Sequence, residues 1–200
     1  MKTIVFASGN KHKIEEVKSI LKDYDIIAMS EVGFDEEIDE NGKDFFENSF
    51  IKAKAISDYL KNKNLDYMVL ADDSGLCVDE LNGDPGIHTA RYAGDHDKEA
   101  NRQKLLKVMK DITNRSANYT CHMILLRPDG KYISAVGKSY GKITHEYRGD
   151  TSFTFDCLFF SNDLNKTFGE ATAEEKNRVS HRFRAIEDLL DKINSDEWEE

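Results

Sequence analysis

The run Ala71-Asp72-Asp73-Ser74-Gly75 sets two adjacent carboxylates, a hydroxyl and a glycine directly after the apolar stretch Tyr67-Met68-Val69-Leu70. That stretch reads as a buried strand. Half-buried like charges cost energy unless something positive joins them. For clustered carboxylate oxygens the usual partner is a hard divalent cation, with Mg²⁺ favoured where phosphates are present. The run therefore points to a metal-dependent site on a rigid strand end. Asp-Asp-Ser-Gly is also good turn chemistry, and the run alone leaves both readings open.

Three further clusters could join it. Ser8-Gly9-Asn10-Lys11-His12-Lys13 reads as a strand-turn-helix junction. Backbone amides and the dipole at a helix start favour anions, Gly9 allows close approach, and Lys13 adds a full charge. The Walker A pattern is absent, and an ordinary solvated helix start fits the same residues. Glu175-Lys176-Asn177-Arg178 with Ser180-His181-Arg182 gathers cations and a histidine at two helix starts. This suits phosphate or base recognition, or a solvated charged surface. Phe153-Thr154-Phe155-Asp156 offers aromatics and a carboxylate that could stack on a base and read its edge, or simply pack.

The elements that must position these residues follow from periodicity. Strands are expected at Thr3–Ala7 and Asp25–Met29, with a helix at Lys11–Lys22 between them. An acidic loop, Ser30–Lys43, leads to a long helix at Asp44–Asn62 that turns Phe45, Phe46, Phe50, Ala53, Ile56 and Leu60 inward. The strand Tyr67–Ala71 precedes an irregular loop rich in Gly and Pro at Asn82–Gly94, and a helix at Lys98–Lys110. Pro128-Asp129-Gly130 marks a hairpin between strands Asn118–Arg127 and Lys131–His145. A short strand near Cys157–Phe160 follows. Thr172-Ala173-Glu174-Glu175 is a capping box. A last helix, Ser180–Asn194, buries Phe183, Ile186, Leu189, Leu190 and Ile193, and the tail Asp196–Glu200 is expected to fray. The alternation predicts an α/β protein with a mixed sheet.

Composition narrows the function. Two hundred residues with 39% apolar content suit one domain, or one domain with two lobes. Cys77, Cys121 and Cys157 are odd in number and far apart, which fits a reducing cytoplasm better than a disulfide framework or zinc site. The opening Met1-Lys2-Thr3-Ile4 carries no signal-peptide pattern. A net charge of −10 disfavours long nucleic acids, which want a broad basic face, but allows a nucleotide.

Taken together the motifs resemble the inosine triphosphate pyrophosphatases, also called dITP/XTP pyrophosphatases. The matching residues are Ser8-Gly9-Asn10-x-x-Lys13-x-x-Glu16, Glu40-x-Gly42 with Phe46-Glu47-Asn48, and Ala71-Asp72-Asp73-Ser74-Gly75-Leu76. They continue through Pro85-Gly86-Ile87, Ala90-Arg91-Tyr92 and Glu174-Glu175-Lys176-Asn177-x-x-Ser180-His181-Arg182. The resemblance implies an elongated mixed β-sheet flanked by helices, two lobes around a central cleft, and a homodimer. It implies Mg²⁺-dependent cleavage of deaminated purine triphosphates such as ITP, dITP and XTP to the monophosphate and pyrophosphate. On that basis Glu40, Asp73 and Asp72 are expected to hold Mg²⁺, and Asp73 to act as base. Ser8 to Lys13 and Ser74 would hold the triphosphate. Phe153 would stack on the purine and Asp156 would read its edge. Lys176, His181 and Arg182 would reach base or phosphate, with Arg182 the donor to O6.

The chain departs from the family where Gly, an aromatic, Asp and Pro usually follow the stacking Phe: here stand Thr154, Phe155, Asp156 and Cys157. Losing Gly and Pro is expected to add a side chain beside the base and soften the loop. That departure motivates two alternatives, a nucleotide-binding module without turnover and a phosphohydrolase of different specificity.

Overall fold

The computed structural model describes residues 2–94 and 97–195. Seven strands form one mixed sheet in the order β2-β1-β3-β4-β5-β6-β7. They are β1 (Thr3–Phe6), β2 (Asp25–Ala28), β3 (Met68–Val78), β4 (Ser116–Leu126), β5 (Tyr132–Ile143), β6 (Phe159–Ser161) and β7 (Lys166–Thr167). Among the described residues the α-helices that flank it are α1 (Lys11–Ile20), α2 (Phe45–Asn62), α3 (Lys98–Val108), α4 (Ala173–Asn177) and α5 (His181–Ile193). Strand β1 runs parallel to β2 and β3, with Val5 opposite Ile27 and Val69. Strands β5, β6 and β7 pair antiparallel. Among the described residues no helix is long and apolar enough to cross a membrane.

The chain divides into two compact units. The first comprises the described residues of Met1–Asp73, Cys121–Val136 and Ala185–Glu200; the second comprises those of Ser74–Thr120 and Gly137–Arg184. In the first unit, successive residues of β1 and β3 alternate between two cores, as the twofold repeat of a strand requires. Ile4, Phe6 and Leu70 join Val17, Cys121, Ile186 and Leu189 on the α1 and α5 side. Val5, Ala7, Val69 and Ala71 join Ala53, Ile56 and Leu60 on the α2 side. The second unit has its own core around Leu76, Leu105, Tyr119, Phe155, Phe159 and Phe168. Each large apolar side chain buried in these cores contributes about 1.5–3 kcal/mol.

Local signals account for most boundaries. Asp44 caps α2 by accepting from the Glu47 amide at 2.8 Å. Thr172 and Glu175 form the expected capping box of α4, with bonds of 3.2 and 2.9 Å. Gly130, at φ +94°, closes the hairpin and donates to the Arg127 carbonyl. Two expectations fail, and one strand was not expected. The strand expected to end at Ala71 continues to Val78, so Asp72-Asp73-Ser74-Gly75 is strand and not turn. Gly75 permits this, since a Cβ there would stand 2.2 Å from the Gly86 carbonyl oxygen and 2.4 Å from Thr89 Oγ1. The first turns of α2 bury Asn48, Ser49 and Lys52, while Phe45, Phe46 and Phe50 are only half-buried. The two-residue strand β7 carries too little pattern to be expected. The expected fraying of Asp196–Glu200 lies outside the described residues.

Candidate active site

Strand alternation decides the fate of the paired carboxylates in the first unit. Asp73 has the parity of Val69 and Ala71 and so faces α2. Asp72 has the parity of Leu70 and faces α1. A lysine stands on each side. Lys13 of α1 donates to both oxygens of Asp72, at 3.0 and 3.2 Å, and the Cys121 thiol lies 3.8 Å from the same carboxylate. Asp72 is 1% exposed. A buried carboxylate stripped of its partner typically costs about 3–5 kcal/mol.

On the α2 side, Asn48 and Lys52 sit one turn apart in line with the buried Ile56 and Leu60. The Asn48 amide donates to Asp73 Oδ2 at 3.0 Å while its Oδ1 accepts from the Gly42 amide at 2.8 Å. Lys52 pairs with Glu40 at 2.7 Å. Gly42 is crowded against Asn48, with 2.7 Å between a built Cβ and Asn48 Oδ1. That contact gives Glu40-x-Gly42 and Phe46-Glu47-Asn48 a common purpose: Gly42 packs against Asn48 while Glu40 pairs with Lys52 of α2. Burial pushes the Asp73 carboxyl above its ordinary pKa. Lys52, the Asn48 bond and Lys13 pull it down, and Glu40 pushes it further up.

These groups meet the demands of a hard cation in part. Glu40 and Asp73 are close enough to repel electrostatically, and their donors are all oxygen, as Mg²⁺ prefers. No group of three or more His, Cys, Asp or Glu side chains among the described residues is placed to hold a metal. Asp72, expected beside Asp73, leaves the opposite face of β3 and bonds Lys13, because adjacent strand residues point to opposite faces.

At the start of α1, Asn10 is the cap. Its side chain accepts from the His12 amide at 3.0 Å and the Lys13 amide at 3.4 Å, and its own amide donates to Ser8 Oγ at 3.2 Å. Three amides that the sequence suggests for phosphate therefore already have acceptors. Gly9, Lys11 and His12 are exposed. Gly9 has neither a positive φ nor a crowded Cβ position, so its backbone conformation does not require glycine.

In the second unit the recognition candidates converge. Lys176 of α4 pairs with Asp156 Oδ2, and its ammonium lies 4.0 Å from the Phe153 ring centroid. Phe153 is 41% exposed. Tyr119 of β4 donates to Asp156 Oδ1 at 3.3 Å. Burial, followed by the Asp156 charge, holds the Tyr119 phenol well above its ordinary pKa. His181 is buried, its ring stacked on Tyr119 at 4.9 Å. Arg182 is buried and donates to Ser74 Oγ at 3.3 Å.

The departure at Thr154 and Cys157 has a structural answer. Phe155 and Cys157 are fully buried in the second core, so Phe155 packs and does not present itself to a ligand. Arg102 of α3 donates to the Thr151 and Thr154 carbonyls at 3.1 and 3.3 Å, and Lys98 donates to the Ser152 carbonyl at 2.6 Å. These bonds fix a loop that lacks the stiffening Pro.

Sequence reasoning missed Lys52, Tyr119 and Arg102, and assigned no role to Asn48. The first had a signal: polar residues at i and i+4 in register with a buried apolar stripe. Tyr119 and Arg102 had none, since their partners lie 37 and about 50 positions away in sequence.

The model of the Ham1 family matches residues 4–192. A dITP/XTP pyrophosphatase of Clostridium perfringens is 47% identical over 199 residues, covering 96% of this chain and 98% of that protein. The solved structure of the Staphylococcus aureus Ham1 protein has a TM-score of 0.84 at 39% identity, covering 96% of this chain and 97% of that one. A HAM1 protein from Coxiella burnetii has a TM-score of 0.86 at 34% identity, covering 96% and 98%.

Proposed function

The chain belongs to the Ham1 family, and on that premise we propose that it hydrolyses deaminated purine nucleoside triphosphates, ITP, dITP and XTP, to the monophosphate and pyrophosphate. The observation that carries this reading is the Asp73 carboxylate. It is half-buried, raised in pKa, fixed by Asn48 and set beside the Glu40–Lys52 pair. A carboxylate so placed suits proton abstraction from an attacking water. The relatives are named for acting on dITP and XTP.

In this reading the first unit serves the triphosphate. Asn48 holds the plane of the Asp73 carboxylate, and Asp73 accepts the proton of the water that attacks phosphorus. Lys13 and Lys52 offset charge on the phosphates. Glu40 and Asp73 would hold Mg²⁺, which when bound supplies further charge neutralisation. The second unit serves the base. Phe153 stacks on the purine. Lys176 and Arg182 are pure donors and match the acceptor O6 of a 6-keto purine. The 6-amino group of adenine would set donor against donor and leave buried groups unpaired. None of the three cysteines forms a disulfide, which suits a reducing cytoplasm, and a homodimer is the assembly expected of the family resemblance.

The test is pyrophosphate release with Mg²⁺ from ITP, XTP, dITP, GTP and ATP in parallel. Strong release from ITP, dITP or XTP over GTP and ATP is expected. Release of orthophosphate from monoesters in its place would move the chain to another hydrolase class. Tight nucleotide binding without any product would make it a binding module.

A further inference from the structure

A tyrosine that packs as well as a phenylalanine would must explain its hydroxyl. Tyr119 is 7% exposed, and its ring packs on three aromatic neighbours. It lies parallel to His181 at 4.9 Å and to Phe168 at 5.9 Å, and meets Phe159 edge-on at 4.8 Å. None of these contacts uses the oxygen. Burying a hydroxyl costs free energy unless it is hydrogen-bonded, and here it donates to Asp156 Oδ1. Asp156 is itself 5% exposed and spends its other oxygen on Lys176, while its backbone carbonyl accepts from the Gly169 amide at 3.0 Å. Lys176 in turn stands over Phe153. A continuous chain of contacts thus runs from the floor of β4 through Asp156 to the ammonium and ring assigned to the base.

Resting on the reading of the second unit as the purine-recognition half, we propose that Tyr119 is a positioning residue for base selectivity. Its hydroxyl pins one oxygen of Asp156, which fixes the other oxygen as the anchor for Lys176. The ammonium is then held where it meets a 6-keto oxygen and opposes a 6-amino group. Without the hydroxyl the carboxylate can rotate, and Lys176 follows it. Tyr119 touches no reacting atom, so its removal acts on substrate binding and on the choice of base while the hydrolytic step proceeds.

Tyr119→Phe removes one oxygen and keeps the ring, so the variant retains the packing of the second core. Steady-state kinetics of wild type and variant with ITP and ATP, calorimetric affinity for IMP, and a thermal melt of each protein form one experiment. The bond is long for O–H···O, so the effect sits at the low end for a hydrogen bond to a charge. We expect KM for ITP and the IMP dissociation constant to rise roughly tenfold. The ITP-to-ATP ratio of kcat/KM should fall by a similar factor, with kcat for ITP within about twofold of wild type. Unchanged KM and an unchanged ratio in the variant, beside an active wild type, would overturn the role. So would a lower melting temperature with kcat falling alike for both nucleotides, which marks packing alone. A wild type that releases no pyrophosphate from any purine triphosphate would overturn the function itself, and that outcome is distinguishable because it needs no variant.

Discussion

The two units assemble their polar groups in opposite ways. In the first, the groups are rooted in long regular elements: Asp72 and Asp73 in the middle of an eleven-residue strand, Lys13 in α1, Asn48 and Lys52 in α2. In the second, Phe153 and Asp156 lie in a turn region and Lys176 in a five-residue helix. That region is held from outside by Arg102, Lys98 and Tyr119. Groups that do chemistry need fixed geometry, which strands and helices provide. Groups that choose a substrate can ride on a loop if something rigid clamps it. The contrast predicts that damage to the first unit lowers kcat, and damage to the second raises KM and blurs selectivity.

The largest effect should come from Asp73→Asn. Loss of a general base is expected to lower kcat roughly a thousandfold, with nucleotide binding retained. Near-normal turnover would remove Asp73 as the base and break the assignment of chemistry to the first unit. The same variant reports on stability. In the folded protein Asp73 is pushed above its ordinary pKa, burial being the main cause. The folded state then holds its proton more tightly than the unfolded chain does. The resulting destabilisation is absent below the unfolded pKa. It grows as pH rises between the two pKa values and is complete above the folded one. Without divalent metal, Asp73→Asn should therefore melt higher than wild type at neutral pH, and the difference should vanish in acid.

Lys52→Met comes next, at about a hundredfold in kcat, the usual scale for removing one preorganised charge. It also sharpens the comparison, since Lys52 lowers the Asp73 pKa. The acid limb of the pH–rate profile should move to higher pH in this variant. A limb that stays in place would show that Lys52 serves the phosphates alone.

The smallest of the three is Phe153→Ala. A lost stacking platform costs roughly 1–3 kcal/mol per base and should appear in KM for ITP while kcat holds. If kcat falls and KM does not, the recognition half takes part in the chemistry and the division of labour fails.

The fold was largely legible because its signals are local. The 3.6-residue repeat marked the helices, and the capping box at Thr172–Glu175 and the turn at Pro128-Asp129-Gly130 set boundaries within a few residues. The site was legible as a set of residue types in family order, though not as an arrangement. Sequence placed Asp72 and Asp73 side by side at a strand end. The strand instead runs on through them, and its twofold repeat gives each carboxylate its own face and its own lysine. Lys13 and Asp72 are 59 positions apart, Asn48 and Asp73 25, Lys176 and Asp156 20.

By itself, then, the sequence determined the family, the order of elements and the inventory of carboxylates, cations and aromatics, because motif and periodicity are properties of neighbouring residues. Only the tertiary structure decided which partners each carboxylate meets. It also decided that Phe155 is core, that Asn48 bonds Asp73 and Lys52 pairs with Glu40, and that Tyr119 bonds Asp156 and Arg102 the Thr151 and Thr154 carbonyls. Those outcomes depend on which face of a strand a side chain leaves from and what waits there, and that is settled when distant segments pack.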